Sequence, residues 1–195
     1  MGNDFTSSLR PSIVMTLLFA LLVGLAYPLA LTGIGQLAFP GAANGSLVRE
    51  RGIVVGSTVI GQAFASERYF HSRPSAAGKG YDGLASSGSN LGPASQALAD
   101  RVKGGLAAYP AAPGQSVPAD LVTTSASGLD PDISPEAALF QVARVAKARG
   151  LAEARLRALV EQSIARPLLP FLGDAHVNLF LLNRQLDGLG AKPAG

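Results

Sequence analysis

IVMTLLFALLVGLAYPLAL, residues 13–31, runs nineteen residues without a charge. As an α-helix rising 1.5 Å per residue it spans about 28 Å, against a hydrocarbon core of about 30 Å. Extension to Ile34 leaves length for tilt, and Gly24 and Pro28 are residues that membrane helices tolerate better than soluble ones do. The stretch therefore reads as one transmembrane helix over residues 13–34. A cleaved signal peptide is the rival reading. Its apolar region would be shorter, about 7–15 residues, and closely followed by a small-x-small site. Here the nearest such site, Gly41-Ala42-Ala43, lies well past the run, which favours an uncleaved anchor.

The anchor sets the rest of the architecture. Residues 1–12 fall on one side, residues 35–46 form a Gly/Ala/Pro-rich linker, and residues 47–195 form a domain on the other side. Arg10 precedes the helix and no Lys or Arg lies between Thr32 and Val48. The excess of positive charge on the cytoplasmic side of membrane proteins then places the N-terminus in the cytoplasm and the domain outside. Across 195 residues, 48% are hydrophobic and 15% charged, and the net charge of +3 is spread along the chain. No basic run with interleaved aromatics points to nucleic acid. The chain has no cysteine, so disulfides and thiolate metal sites are excluded.

The domain reads as α+β. In residues 46–64, β-branched runs broken by glycines at 52, 56 and 61 predict two or three short strands with tight turns. Residues 69–92 have neither helical nor strand period and form a long polar loop, the kind that carries function or binds a partner. Leu91, Leu98, Val102 and Leu106 recur at helical spacing, with Pro93 in the first turn. A short strand is expected over residues 121–124. Ser134, Pro135 and Glu136 make a helix start, and Gly150 its stop. A second helix is expected over residues 152–166, carrying Leu156, Leu159, Val160 and Ile164 on one side. The segment VNLFLLNRQLDGLG (177–190) reads as a last helix whose start also passes as a strand.

Several polar stretches resemble chemical sites. YFHSRPSA (69–76) holds a histidine, a phenol, two hydroxyls and a guanidinium, and a hydrolase reading would use Ser72 and His71. No G-x-S-x-G elbow accompanies them. The run GKGYDGLASSGSNLGP (78–93) is rich in glycine and serine, but a phosphate loop needs glycine where Arg73 stands and a hydroxyl where Gly80 stands. DPDISPE (130–136) resembles half a calcium loop, yet its sixth position is Pro135 and its twelfth Gln141. A turn and a helix cap explain it better, and no metal is expected. Arg144, Lys147, Arg149, Arg155, Arg157 and Arg166 outnumber Glu153 and Glu161, giving a solvated helix face or a surface for an acidic partner or lipid headgroups.

Seven blocks in order are more specific than any one of them. GSTVIGQAF (56–64), YFHSRPSA, YD (81–82), SSGSNLGP (86–93), VPADLVTTSASGLDPDISPEAA (117–138), QVARVAKARG (141–150) and VNLFLLN (177–183) follow a single N-terminal anchor. Together they closely resemble the C subunit of the Kdp potassium-transporting P-type ATPase. Val59, where the family usually has leucine, and the final helix are mild departures. The resemblance implies an accessory subunit with no catalytic site of its own in the bacterial cytoplasmic membrane. Its partners would be a channel-like potassium-translocating subunit, a P-type ATPase subunit and a small membrane subunit. ATP and Mg would belong to the complex, with potassium as the transported ion and no cofactor in this chain. Tyr69, Phe70, His71 and Arg73 are then candidates for docking, and Ala20 with Gly24 for close helix approach in the bilayer. The family's attributed nucleotide role implies an alternative, a catalytic helper raising the ATPase subunit's ATP affinity, for which Lys79, Ser87, Gly88, Ser89 and Asn90 are the candidates.

Overall fold

The computed structural model describes residues 2–110 and 115–190. The chain separates into two compact units, dividing between Leu47 and Val48. In the first, α1 (Gly2–Leu21), a π turn (Leu22–Ala26) and α2 (Tyr27–Ala38) follow one another without a break. The stretch Ser7–Ala38 is long and apolar enough to cross a membrane, and none of the residues in its most apolar window is buried within the protein. The helix runs past both ends of residues 13–34. Its π turn has a local cause: the ring of Pro28 would crowd the carbonyl four residues back, that of Gly24, and a wider turn relieves it. Tyr27 accordingly donates to the Leu22 carbonyl.

Residues 35–46 are mostly helical. After Ala38, a short helix α3 (Pro40–Ala43) completes the first unit. A hairpin of β1 (Leu47–Glu50) and β2 (Ile53–Ser57) follows, and from Val48 on it belongs to the second unit. Its two-residue turn needs positive φ at both centres, which Arg51 (48°) and Gly52 (83°) supply. Residues 58–95 then run without helix or strand. The helices α4 (Gln96–Ala108), α5 (Pro135–Arg149), α6 (Glu153–Gln162) and α7 (Leu179–Gly190) follow, with three very short strands among them: β3 (Asp132–Ile133) before α5, and β4 (Ile164–Ala165) and β5 (His176–Asn178) between α6 and α7. These form an antiparallel sheet in the order β3-β5-β4, with Ile133 and Ile164 both paired with Val177. One core joins the layers. It holds Val142 and Val145 of α5, Leu156 and Val160 of α6, and Leu182 and Leu186 of α7, all but inaccessible to solvent.

The α+β architecture agrees with the sequence reading, and several boundaries move. Residues 121–124 are not a strand: a 3-10 turn, Ala119–Leu121, buries Leu121 and Val122 instead. Strand pairing starts at Asp132, inside the stretch read as turn and cap. Ser95, in extended conformation, precedes α4, so Pro93 lies before the first turn. The second predicted helix stops at Gln162, and Ile164 leaves it to join the sheet. Ser134 caps α5 as expected, its hydroxyl accepting from the Ala137 amide at 3.1 Å, and Gly150 closes the helix at φ 67°. The ambiguous last segment is both a strand and a helix, because Val177 pairs in the sheet immediately before α7 starts.

Gly61 ties the hairpin exit to the start of β3. Its amide donates to the Leu129 carbonyl at 2.8 Å, and an added Cβ would stand 2.9 Å from the Asp130 carbonyl carbon and closer to its oxygen. Gly61→Ala is expected to cost about 1–3 kcal/mol, the usual range for forced overpacking. Gly83→Ala, with open space around it, should cost far less. Urea unfolding of the two variants in detergent checks the difference.

Candidate functional site

The long loop is held from inside by two buried amide side chains. Asn183 of α7 accepts the Phe70 N–H at 2.9 Å and donates to the Phe70 carbonyl at 2.9 Å. Gln141 of α5 does the same for the next residue, accepting the His71 N–H at 2.7 Å and donating to the His71 carbonyl at 3.0 Å. Both amides are 1% exposed, and Phe70 is fully buried. A primary amide offers a donor and an acceptor side by side, so each one satisfies a peptide unit as a neighbouring strand would. Without it those peptide groups would be buried and unpaired.

Two arginines of α5 extend the same grip. Arg144 donates to the Glu67 carbonyl at 2.9 Å, the Tyr69 carbonyl at 3.0 Å and the Gln141 Oε1 at 2.6 Å. Arg149 donates to the Arg68 carbonyl at 2.6 Å, lies 4.7 Å above the centre of the Tyr69 ring and pairs with Asp187 at 2.7 Å. The Tyr69 hydroxyl reaches the same carboxylate at 3.1 Å. These two cations of the basic mid-chain cluster are therefore turned onto the loop rather than spread over a solvated face.

Downstream the loop folds against residues 123–130. Arg73 pairs with Asp130 at 3.1 Å and points its other donors at the Thr123 and Thr124 carbonyls. The Ser75 hydroxyl donates to the Gly128 carbonyl at 2.6 Å and accepts the Tyr81 amide at 2.8 Å. The Tyr81 hydroxyl meets Ser72 and the Arg73 carbonyl, and burial raises its pKa above the usual phenol value.

His71 sits half-buried with its Nε2 3.1 Å from the Ser66 carbonyl. Burial and then the Arg144 charge lower its pKa below the ordinary histidine value. Ser72 donates to the Gln62 carbonyl at 3.4 Å. Imidazole and hydroxyl are thus committed to different partners, whereas an activated nucleophile needs the two bonded to each other.

The nucleotide candidates are placed by packing. Ser87 donates its amide to the Ser127 carbonyl at 3.0 Å, and Gly88 lies so close to Ala126 that a Cβ would stand 2.9 Å from its carbonyl oxygen. Ser89 is half-buried, Asn90 is exposed in a left-handed turn (φ 53°), and Lys79 is exposed. Two open grooves, of about 770 and 320 Å³, lie elsewhere; Asp120, Glu136 and Arg157 line one, Tyr109 and Arg144 the other. Among the described residues, no three His, Asp or Glu side chains gather as a metal site would require. In DPDISPE, Asp130 holds Arg73, Asp132 accepts from Asn178 at 2.9 Å, and Ser134 caps α5. In the first unit Ala20 and Gly24 are exposed, and Gly24 falls inside the π turn with open space around it.

Sequence reasoning passed over Gln141 and Asn183. The signal was present: an uncharged amide within the apolar stripe of a helix, beside Val142 and Val145 in one case and Leu182 and Leu186 in the other. A buried amide there requires a partner, and a polar loop is the nearest supplier.

Comparison with known proteins gives a consistent result. The family model described as "K+-transporting ATPase, c chain" matches residues 9–188. A Caulobacter vibrioides protein named potassium-transporting ATPase KdpC subunit is 57% identical over 183 residues, 93% of each chain. Proteins of the same name from Methylobacterium nodulans and Koribacter versatilis are 53% and 49% identical, over 94% and 95% of this chain and 98% and 97% of theirs.

Asn183→Leu and Gln141→Leu each strand a buried peptide N–H and C=O, at about 1–3 kcal/mol per group. Both variants should unfold at clearly lower urea, and the loop should become protease-sensitive before the helices do. A second expectation concerns pH. The depressed His71 pKa means that the unfolded chain takes up the proton first as pH falls below about 6.5, the unperturbed value. Its contribution to stability is full above that pH and is lost on descent toward the lower folded pKa. In the full chain the proton titration of His71, assigned by its loss in His71→Gln, should fall below that of a free histidine.

Proposed function

The chain belongs to the KdpC family, the c chains of K+-transporting ATPases, and we propose from that membership that it is a non-catalytic accessory subunit of an ATP-driven potassium uptake complex. In this reading ATP and Mg²⁺ act on a P-type ATPase subunit, potassium passes through a channel-like subunit, and this chain holds the assembly together. A small membrane subunit completes the set. The helix Ser7–Ala38 anchors the chain in the cytoplasmic membrane with its N-terminus inside, and the folded domain stands outside near the potassium entrance.

One observation carries the reading. The polar groups that make YFHSRPSA look like an active site are spent on holding the loop's own backbone and its neighbours, from Arg144 and Gln141 through Asn183 to Asp130. A loop fixed this way presents a shaped surface. Phe70 supports that surface from the core, while Tyr69, His71 and Arg73 form its partly exposed rim and Leu84, fully exposed, its outer edge.

The direct test is purification from detergent-solubilised membranes. A channel-like and an ATPase partner should come down with this chain, with potassium-stimulated ATP hydrolysis in the complex. Recovery of the chain alone, from membranes that contain the partners, would sink the proposal. Leu84→Asp, away from the core, should lower partner recovery without lowering stability. Topology has its own readout in this cysteine-free chain. Leu84→Cys should react with a membrane-impermeant maleimide added outside, and reaction only after the inner face is opened would reverse the orientation.

A further inference from the structure

Residues 166–175 leave the sheet between β4 and β5, two strands that pair directly and that a tight turn could join. The excursion reads RPLLPFLGDA, with no charge from Pro167 to Gly173. Leu168 and Phe171 stand 92% and 80% exposed, Leu172 and Leu169 63% and 44%. A single exposed apolar side chain is ordinary. Four large ones so close together in the chain form a patch of the kind that marks an interaction site.

The patch is held in shape. Prolines at 167 and 170 fix φ on both sides of Leu168 and Leu169. A 3-10 turn, Pro170–Leu172, follows, and the Leu172 amide donates to the Leu169 carbonyl at 2.9 Å. Below it, Ala165 pairs with His176 and closes the excursion onto the sheet, one step from the fully buried Val177. A segment restrained in this way loses little freedom when it meets a partner, so more of its apolar burial remains as affinity.

Charge says what covers it. A segment that lies on a bilayer surface carries cations for the lipid phosphates. Here the tip carries none, and the signs at its base are mixed: exposed Arg166 stands on one side and exposed Asp174 on the other, while His176 lies 3.9 Å from the Asp132 carboxylate. A neutral apolar tip with one charge of each sign beside it suits the surface of another protein better than an anionic bilayer. We propose that residues 167–173 form an apolar knob that docks in an apolar hollow of another subunit of the complex. Leu168 and Phe171 are its anchors, and the rim of the hollow carries an acid for Arg166 and a base for Asp174. The proposal rests on the accessory-subunit reading. It adds a contact separate in sequence from the loop that carries Leu84.

The test uses the full chain in membranes that contain the partner subunits. With Leu168→Asp and Phe171→Asp together, recovery of the channel-like and ATPase partners after detergent extraction should fall about tenfold or more, the scale of lost interface anchors. The urea midpoint should stay where it is, since neither side chain belongs to the core. A second readout leaves the patch apolar. Phe171→benzoylphenylalanine, a photo-crosslinker of similar shape, should join to the channel-like or the ATPase subunit when intact membranes are illuminated. Undiminished partner recovery with the double variant, or adducts from position 171 only to lipid or to a second copy of this chain, would overturn the knob and leave the subunit reading standing. If the unaltered chain recovers no partner, that reading falls and the knob with it.

Discussion

Two side-chain amides on neighbouring helices hold the peptide units of Phe70 and His71, and the rest of the domain's surface depends on that grip. Residues 58–95 have no ladder of their own, and ordering each residue costs about 1–2 kcal/mol. Local turns repay little of that. Gln141 and Asn183 repay more, because each meets a buried donor and acceptor that would otherwise be stranded. Phe70, drawn into the core beside them, adds the apolar burial that makes the bonds dry and strong.

From that point the loop is built outward in steps. Arg144 and Arg149 take the carbonyls just before Phe70, and Arg73 with Ser75 takes those of residues 123–128 just after it. Each guanidinium has more donors than one carboxylate can use, and here the surplus goes to backbone carbonyls. The exposed ion pairs themselves contribute little to stability. Their value lies in geometry, since a planar fork fixes two or three chain segments relative to one helix. The pattern also explains why a histidine, a serine and a tyrosine sit together without forming a reactive pair: His71 answers to Ser66, and Ser72 to Gln62 and Tyr81.

Much of this was legible in the sequence, for reasons that can be named. The long apolar N-terminal helix followed from length and apolarity, and the α5 cap followed from Ser134, Pro135 and Gly150, because these are local effects. The ordered loop blocks carried the family resemblance, which comparison with known proteins bears out. What failed was non-local. A two-residue strand such as β3 or β4 exists only because β5 lies between them, and nothing within Asp132–Ile133 or Ile164–Ala165 announces it. The direction of Arg144 and Arg149 was equally hidden, since a basic helix face looks the same whether it meets water or a loop. The glycines and Pro40 of residues 35–46 suit a linker whether or not it is helical, so composition alone does not announce its helical turns or the Gln36–Asn44 pair that closes them.

The central claim is that the long loop is a fixed part of the core through Phe70 and His71. Amide hydrogen exchange of the full chain in detergent tests it residue by residue. The account predicts that the Phe70 and His71 amides exchange as slowly as those of Val142 and Leu182 in the core helices, while Leu84 exchanges fast. Exchange at Phe70 and His71 as rapid as at Leu84 would contradict it.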